Sequence, residues 1–233
     1  MRTFVIGDIH GHADRLAELL DRSGAIKEGA DIVLLGDIGH YDATTHEHDL
    51  LTWQLVEKLP NCTVLWGNHD YANVMPDIHS FKNWDPAYPE VMEIIRRVKP
   101  KFAAERHGYL LTHAGLAPRF MPPPGVPIEL LAETINACEH MPVVDDISYR
   151  RGGFAMQGGV LWRDESEPLG EIPQIFGHSQ GDIRREGPNR QSWCIDVAQK
   201  DGSDLAGIWL PERKIVAVGE NAPIYETPWE DSD

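Results

Sequence analysis

Thr3-Phe4-Val5-Ile6-Gly7-Asp8-Ile9-His10-Gly11 opens the chain with an apolar run that ends in glycine, carboxylate and imidazole. The run reads as a buried strand over Thr3 to Gly7, and His12 to Ser23 behind it reads as an amphipathic helix. Leu16, Leu19 and Leu20 share one face of that helix, with Asp14, Arg15, Glu18, Asp21 and Arg22 on the other. Asp8 and His10 therefore leave the carboxyl end of the first strand, where open α/β sheets keep their chemistry. Strand alternation points both side chains the same way, as chelation of one ion requires. Gly7 and Gly11 leave room for a tight turn and close backbone approach. Taken alone, an Asp-x-His at a strand end also suits a merely structural turn, so the rest of the chain must decide.

The next two units repeat the pattern. Asp31 to Asp37 is an apolar strand ending in Gly36-Asp37, and Leu50 to Leu59 reads as a helix stopped at Pro60. A third strand, Cys62 to Trp66, ends in Gly67-Asn68-His69-Asp70. Three such ends converge on one edge of a parallel sheet when the crossovers are right-handed. After a looser region with Trp84, Pro86 and Pro89, a helix is expected from about Pro89 to Val98. Lys101 to Glu105 and Tyr109 to Thr112 form a hairpin that runs into His113-Ala114-Gly115. Further strands are expected at Gly159 to Trp162, Gln174 to Phe176 (before Gly177-His178), Ser192 to Val197, Leu205 to Leu210 and Lys214 to Val218. Between them, residues 116–159 change character. Met121-Pro122-Pro123-Pro124 cannot continue a sheet, Ile128 to Cys138 reads as a helix, and the loop at Arg150-Arg151-Gly152-Gly153 is basic. This stretch reads as an insertion over the active edge of one domain spanning 1–233, with Gly152-Gly153 and Gly158-Gly159 as hinges.

With 233 residues, 42% of them hydrophobic, the chain can bury a sizeable core. A formal net charge of −16 argues against a nucleic-acid duplex or an anionic membrane as the partner. Cys62, Cys138 and Cys194 show no paired spacing and read as free thiols in a reducing, cytoplasmic compartment. Met1 leads almost directly into the first strand, which leaves no room for a signal peptide, and no apolar run reaches membrane-spanning length.

Collected, the strand ends offer Asp8, His10, Asp37, Asn68, His113 and His178. Oxygen and nitrogen donors of this kind suit two divalent ions, Mn²⁺ foremost with Fe, Zn or Ni as the other choices, and not a thiolate zinc site. A pair of ions about 3.5–4 Å apart needs a shared ligand. Asp37, on the middle of the first three strand ends, is the natural bridge. His107 and His140 read as surface histidines, as do His12, His46, His48 and His79; His40 lies close enough to the site to stay open.

Gly7-Asp8-Ile9-His10-Gly11, Gly36-Asp37, Gly67-Asn68-His69-Asp70, His113-Ala114-Gly115 and Gly177-His178 together resemble the motif series of the calcineurin-like metallophosphoesterases. Leu161-Trp162 and Ile195-Asp196 look like further marks of its phosphoprotein-phosphatase and bacterial diadenosine-tetraphosphatase branch. The resemblance implies an α/β (α+β) fold with a two-layer β-sandwich flanked by helices, a dinuclear site from the six residues above, and His69 as general acid to the leaving alkoxide. That branch usually carries Gly-Asp-x-x-Asp-Arg-Gly at its second motif. Here His40 and Tyr41 stand in place of the Asp and Arg, which leaves Asp70 and Asp42 as candidates to orient His69. The chain also lacks the second His of the Gly-His-x-His run common in cyclic-nucleotide phosphodiesterases; it has Gly177-His178-Ser179-Gln180.

The expected activity is hydrolysis of phosphomonoesters, on a phosphoprotein or a small phosphorylated molecule, by attack of a metal-bridging hydroxide. A diadenosine-polyphosphate hydrolase or phosphodiesterase is the alternative, and a catalytically silent scaffold is the third reading. With Tyr41 at the clamp position, the insertion is expected to return an arginine to the phosphate. The candidates are Arg150, Arg151 and Arg163, and Arg163 is placed best because it follows Leu161-Trp162.

Overall fold

The structure is a computed structural model that describes residues 1–39, 45–75, 89–197 and 204–220. The first βα units form as their apolar patterns require: β1 (Thr3–Ile6), α1 (Ala13–Ser23), β2 (Asp31–Leu34), α2 (His46–Glu57) and β3 (Cys62–Val64). A short helix, α3 (Asn68–Val74), follows at once, then α4 (Pro89–Val98) and the hairpin β4 (Ala103–Arg106) and β5 (Tyr109–Thr112). Beyond the helices α5 (Ile128–Asn136) and α6 (Pro142–Asp145) come β6 (Gln174–Phe176), β7 (Arg184–Glu186), β8 (Ser192–Cys194), β9 (Leu205–Leu210) and β10 (Lys214–Val218).

The strands make two five-stranded sheets, ordered β10-β9-β1-β2-β3 and β4-β5-β6-β8-β7. Within the first, β1, β2 and β3 run parallel; within the second, β5, β6 and β8 do. Antiparallel strands complete each sheet. The two parallel trios bring their carboxyl ends to one rim.

Alternation along the strands builds three apolar layers. Val5, Val33 and Leu35 point between the sheets, against Leu111, Ile175 and Trp193. Phe4, Ile6, Ile32 and Leu34 point outward, under α1, α2 and α4. On the far face Leu110 meets Leu131 and Ile135 of α5, together with Val160, Leu161 and Trp162. The result is the expected two-layer sandwich flanked by helices.

Several expectations are corrected. Gly159 to Trp162 is no strand but a buried turn, in which Trp162 and Arg163 both donate their backbone N–H to the Gly159 carbonyl. Gly158 and Gly159 are no hinges either: a Cβ on Gly159 would stand 2.6 Å from the carbonyl oxygens of Val143 and Val144. Close backbone approach, not mobility, demands glycine there. The third strand stops at Val64, and Asn68-His69-Asp70 starts a helix instead of extending it. His40, Tyr41, Asp42, His79 and Trp84 lie outside the described residues. Among those described, no helix is long and apolar enough to cross a membrane.

Candidate metal centre

The loops leaving β1 and β2 are tied to each other. The Asp37 carbonyl accepts from the N–H of both Ile9 and His10, at 3.0 and 2.8 Å, and Gly11 donates to the Ile38 carbonyl. His10 (φ 49), Asp37 (φ 48) and His178 (φ 69) all adopt left-handed backbone conformations. Such geometry is uncommon without glycine and persists only where surroundings hold it, often at functional sites.

Asp37 is buried at the centre. Its Oδ1 accepts from the His69 N–H at 3.0 Å, and its Oδ2 lies 3.9 Å from His10 Nε2 and 3.5 Å from His113 Nε2. Two groups of donors, Asp8–His10–Asp37 and Asp37–His113–His178, each gather ligand atoms within 4.8 Å of one another, and Asp37 belongs to both. Asn68 joins the second: its Oδ1 sits 2.8 Å from His113 Nε2 and 2.9 Å from His178 Nδ1. All six sequence-expected ligand residues are therefore brought together.

The protonation chemistry of this donor set suits cations. His113 Nδ1 lies 3.0 Å from the Leu35 carbonyl, which places its proton there and turns a bare Nε2 toward Asn68 and Asp37. Burial pushes the His113 imidazole down to about 3, and burial with His113 nearby holds His178 well below the usual range. Both rings are neutral at pH 7, as metal ligands must be. Asp8 is pushed well up by burial, then by Asp196 and Asp37; Asp37 is pushed well up by burial, then by Asp70. Carboxylates crowded in a dry space stay ionised only with positive charge among them, which divalent ions would supply.

Of the two residues expected to do chemistry, His69 lines the cleft beside the donors, its Nε2 3.9 Å from Asp37 Oδ2 and its ring edge-on to His10. Asp70 does not orient it. The Asp70 carboxylate is fully buried and accepts the backbone N–H groups of Ile38, Gly39 and Gly67 at 3.1–3.3 Å. At the third position of α3 it reaches back to cap that helix and holds the Asp37 loop. Burial raises its carboxyl to about 7 even against those hydrogen bonds.

The arginines also redistribute. Arg163 is fully buried and does not line the cleft. Its Nε donates to the Ala114 carbonyl and its Nη1 to those of Asp164 and Glu167, while Nη2 meets Glu186. Arg150 lies over the Tyr149 ring. Arg151 is the one that lines the cleft, held by Asp164 (Nε to Oδ2, 2.9 Å) and by Ser179 (Nη2 to Oγ, 3.2 Å). The cleft has a volume of about 450 Å³, and its walls include Trp162, Glu165, Ser179, Gln180 and Asp196, to none of which the sequence assigns a role in the site. For Asp196 a signal existed, since it follows an apolar strand as Asp8 and Asp37 do.

Comparison with known proteins agrees with this architecture. Relatives described as symmetrical bis(5'-nucleosyl)-tetraphosphatase include one from Aliivibrio salmonicida, 30% identical over 131 residues, which cover 52% of this chain and 46% of that protein. Another, from Dechloromonas aromatica, is 24% identical over 99% of this chain and 76% of its own length. The chain thus matches less than half of the first relative's length. Among solved structures, a protein serine/threonine phosphatase from Saccharomyces cerevisiae superposes with a TM-score of 0.58 at 14% identity, covering 94% of this chain and 79% of that one, a likeness of fold. The calcineurin-like phosphoesterase profile matches residues 1–187, carrying every motif from Asp8 to His178, and the chain belongs to that family.

Proposed function

We propose that this chain is a two-metal phosphoesterase that hydrolyses phosphomonoesters of small molecules or proteins. The observation that carries the reading is the membership of Asp37 in both donor groups, which suits one carboxylate shared between two ions. Asp8 and His10 would hold one ion, Asn68, His113 and His178 the other. Mn²⁺ is the ion we favour, because hard oxygen donors and neutral imidazoles make up the set without any thiolate. When bound, the ions activate water and offset charge developing at phosphorus.

The chain's own residues do the rest. His69 is placed beside the donors to protonate the leaving oxygen. Arg151 takes the clamp position: Nε and Nη2 are anchored on Asp164 and Ser179, while the guanidinium faces the cleft where non-bridging phosphate oxygens would lie. Asp70 fixes the Asp37 loop through backbone N–H groups, a positioning role. Three free cysteines support a reducing, cytoplasmic setting.

A second reading, hydrolysis of dinucleoside polyphosphates, is favoured by the names of the two curated relatives. An assay with added Mn²⁺ over aryl phosphates, phosphopeptides, dinucleoside tetraphosphates and cyclic nucleotides separates them. Phosphomonoester turnover abolished by a chelator is the expected result. Preference for the tetraphosphate would install the second reading, and metal uptake without any turnover would make the chain a scaffold.

A further inference from the structure

Six parallel strands, three in each sheet, end at the same rim. β1 leads to Asp8, β2 to Asp37, β3 to Asn68, β5 to His113, β6 to His178 and β8 to Asp196. Every one of these positions except the last belongs to the ligand set above. Asp196 is 1% exposed and lines the cleft with His10, Asp37 and His178. In the β6–β8 pairing Phe176 lies opposite Cys194, the last residues of the two strands, and beyond them Asp196 and His178 share the cleft wall. Across the sandwich, a Cβ on Gly7 would stand only 2.7 Å from the Ile195 carbonyl oxygen. The next residues along, Asp8 and Asp196, thus leave abutting backbones.

A third carboxylate in this dry space has an electrostatic consequence for each ligand that enters. It attracts divalent ions and repels phosphate, with little solvent screening. We propose that Asp196 sets the charge of the loaded centre, strengthening the hold on the ions and weakening the hold on the anionic phosphate product. The inference rests on the two-ion reading and goes beyond it, assigning release of product to a residue outside the ligand set. Glu165 also stands in the cleft wall outside the ligand set, but its side chain is 59% exposed and solvent screens its charge, whereas Asp196 is buried beside the donors. Removing the Asp196 carboxylate therefore changes the field at the ions directly.

The test uses the full chain as wild type, Asp196→Asn and Asp196→Glu. Metal-free protein is titrated with Mn²⁺, and Mn²⁺-loaded protein with inorganic phosphate, by calorimetry alongside thermal melts. Asp196→Asn is expected to weaken Mn²⁺ binding roughly ten-fold or more, yet to tighten phosphate binding several-fold. It should also raise the melting temperature of the metal-free protein, because one of several mutually repelling carboxylates is gone. Asp196→Glu, which keeps the charge, should restore much of both affinities. Unchanged Mn²⁺ affinity, or weakening of both ligands with a lower metal-free melting temperature, would overturn the inference. So would failure of Asp196→Asn to fold, which would make the carboxylate structural. Wild-type protein that takes up no Mn²⁺ would instead overturn the two-ion reading itself.

Discussion

Replacing Arg151 and Arg163 in turn separates a phosphate clamp from a structural arginine. The Arg151 side chain is 29% exposed and its ion pair with Asp164 is partly solvated. Such a pair contributes about 0–1 kcal/mol, so Arg151→Ala should shift the melting temperature by no more than about 2–4 °C. Its catalytic loss should be far larger. Removing one preorganised group that meets developing charge costs about 10²–10³ in rate, near 3–4 kcal/mol. Arg163→Ala should do the reverse. It leaves the carbonyls of Ala114, Asp164 and Glu167 without the cation that now serves them and removes a 3.4 Å contact from Glu186, which keeps Arg184 at 2.6 Å. Orphaned buried acceptors cost about 1–3 kcal/mol each, and breaking a buried charge network about 3–5 kcal/mol altogether. The melting temperature should fall by roughly 10 °C, with kcat/KM per folded molecule close to the parent. Arg150→Ala should be nearly neutral on both counts. Steady-state kinetics on an aryl phosphate with saturating Mn²⁺, paired with thermal melts, reads both axes. An active Arg151→Ala, or an Arg163→Ala that keeps its fold and loses kcat/KM, would refute the assignment.

Two further outcomes follow from the same geometry. His69→Asn should retain its metals but lose kcat steeply on alkyl phosphates and much less on activated aryl phosphates, whose leaving groups barely need a proton; equal losses on both would remove His69 as general acid. A Cβ on Gly177 would overlap Asp8 Oδ1, so Gly177→Ala should weaken Mn²⁺ uptake, measured by titration of the metal-free protein, with the sheets intact by circular dichroism. Unchanged uptake would show that Asp8 has room to move and is no fixed ligand.

The sandwich and its ligand-bearing rim are legible in the sequence because each parallel strand is a short apolar run punctuated by Gly and a polar donor. Period-2 burial makes Val5 and Phe4 face opposite layers, and that period is visible without coordinates. What hides is whatever depends on contacts far apart in sequence. The Asn68-His69-Asp70 run looks like the continuation of a strand, yet Asp70 finds the N–H groups of Ile38 and Gly39 across the rim and starts a helix. Val160-Leu161-Trp162 is as apolar as a strand, but its backbone closes a turn on Gly159. Arg163 follows it in sequence and is drawn into the interior by the carbonyls of Ala114 and Glu167, whereas Arg151, twelve residues earlier, swings to the cleft through Ser179 and Asp164. Ile195-Asp196 stands out in the sequence as a family mark, but the strand pattern from Ser192 to Val197 gives Asp196 no role, and only the strand's end at Cys194 brings it to the rim.

The central claim is that one carboxylate, Asp37, serves two ions. Elemental metal analysis of purified wild type and Asp37→Asn, each reconstituted with Mn²⁺ and freed of excess, tests it directly. The account predicts about two ions per chain in the wild type and joint loss from both positions in Asp37→Asn, because the two donor groups share that residue. Loss of a single ion, or full retention, in a variant that still melts cooperatively would contradict it.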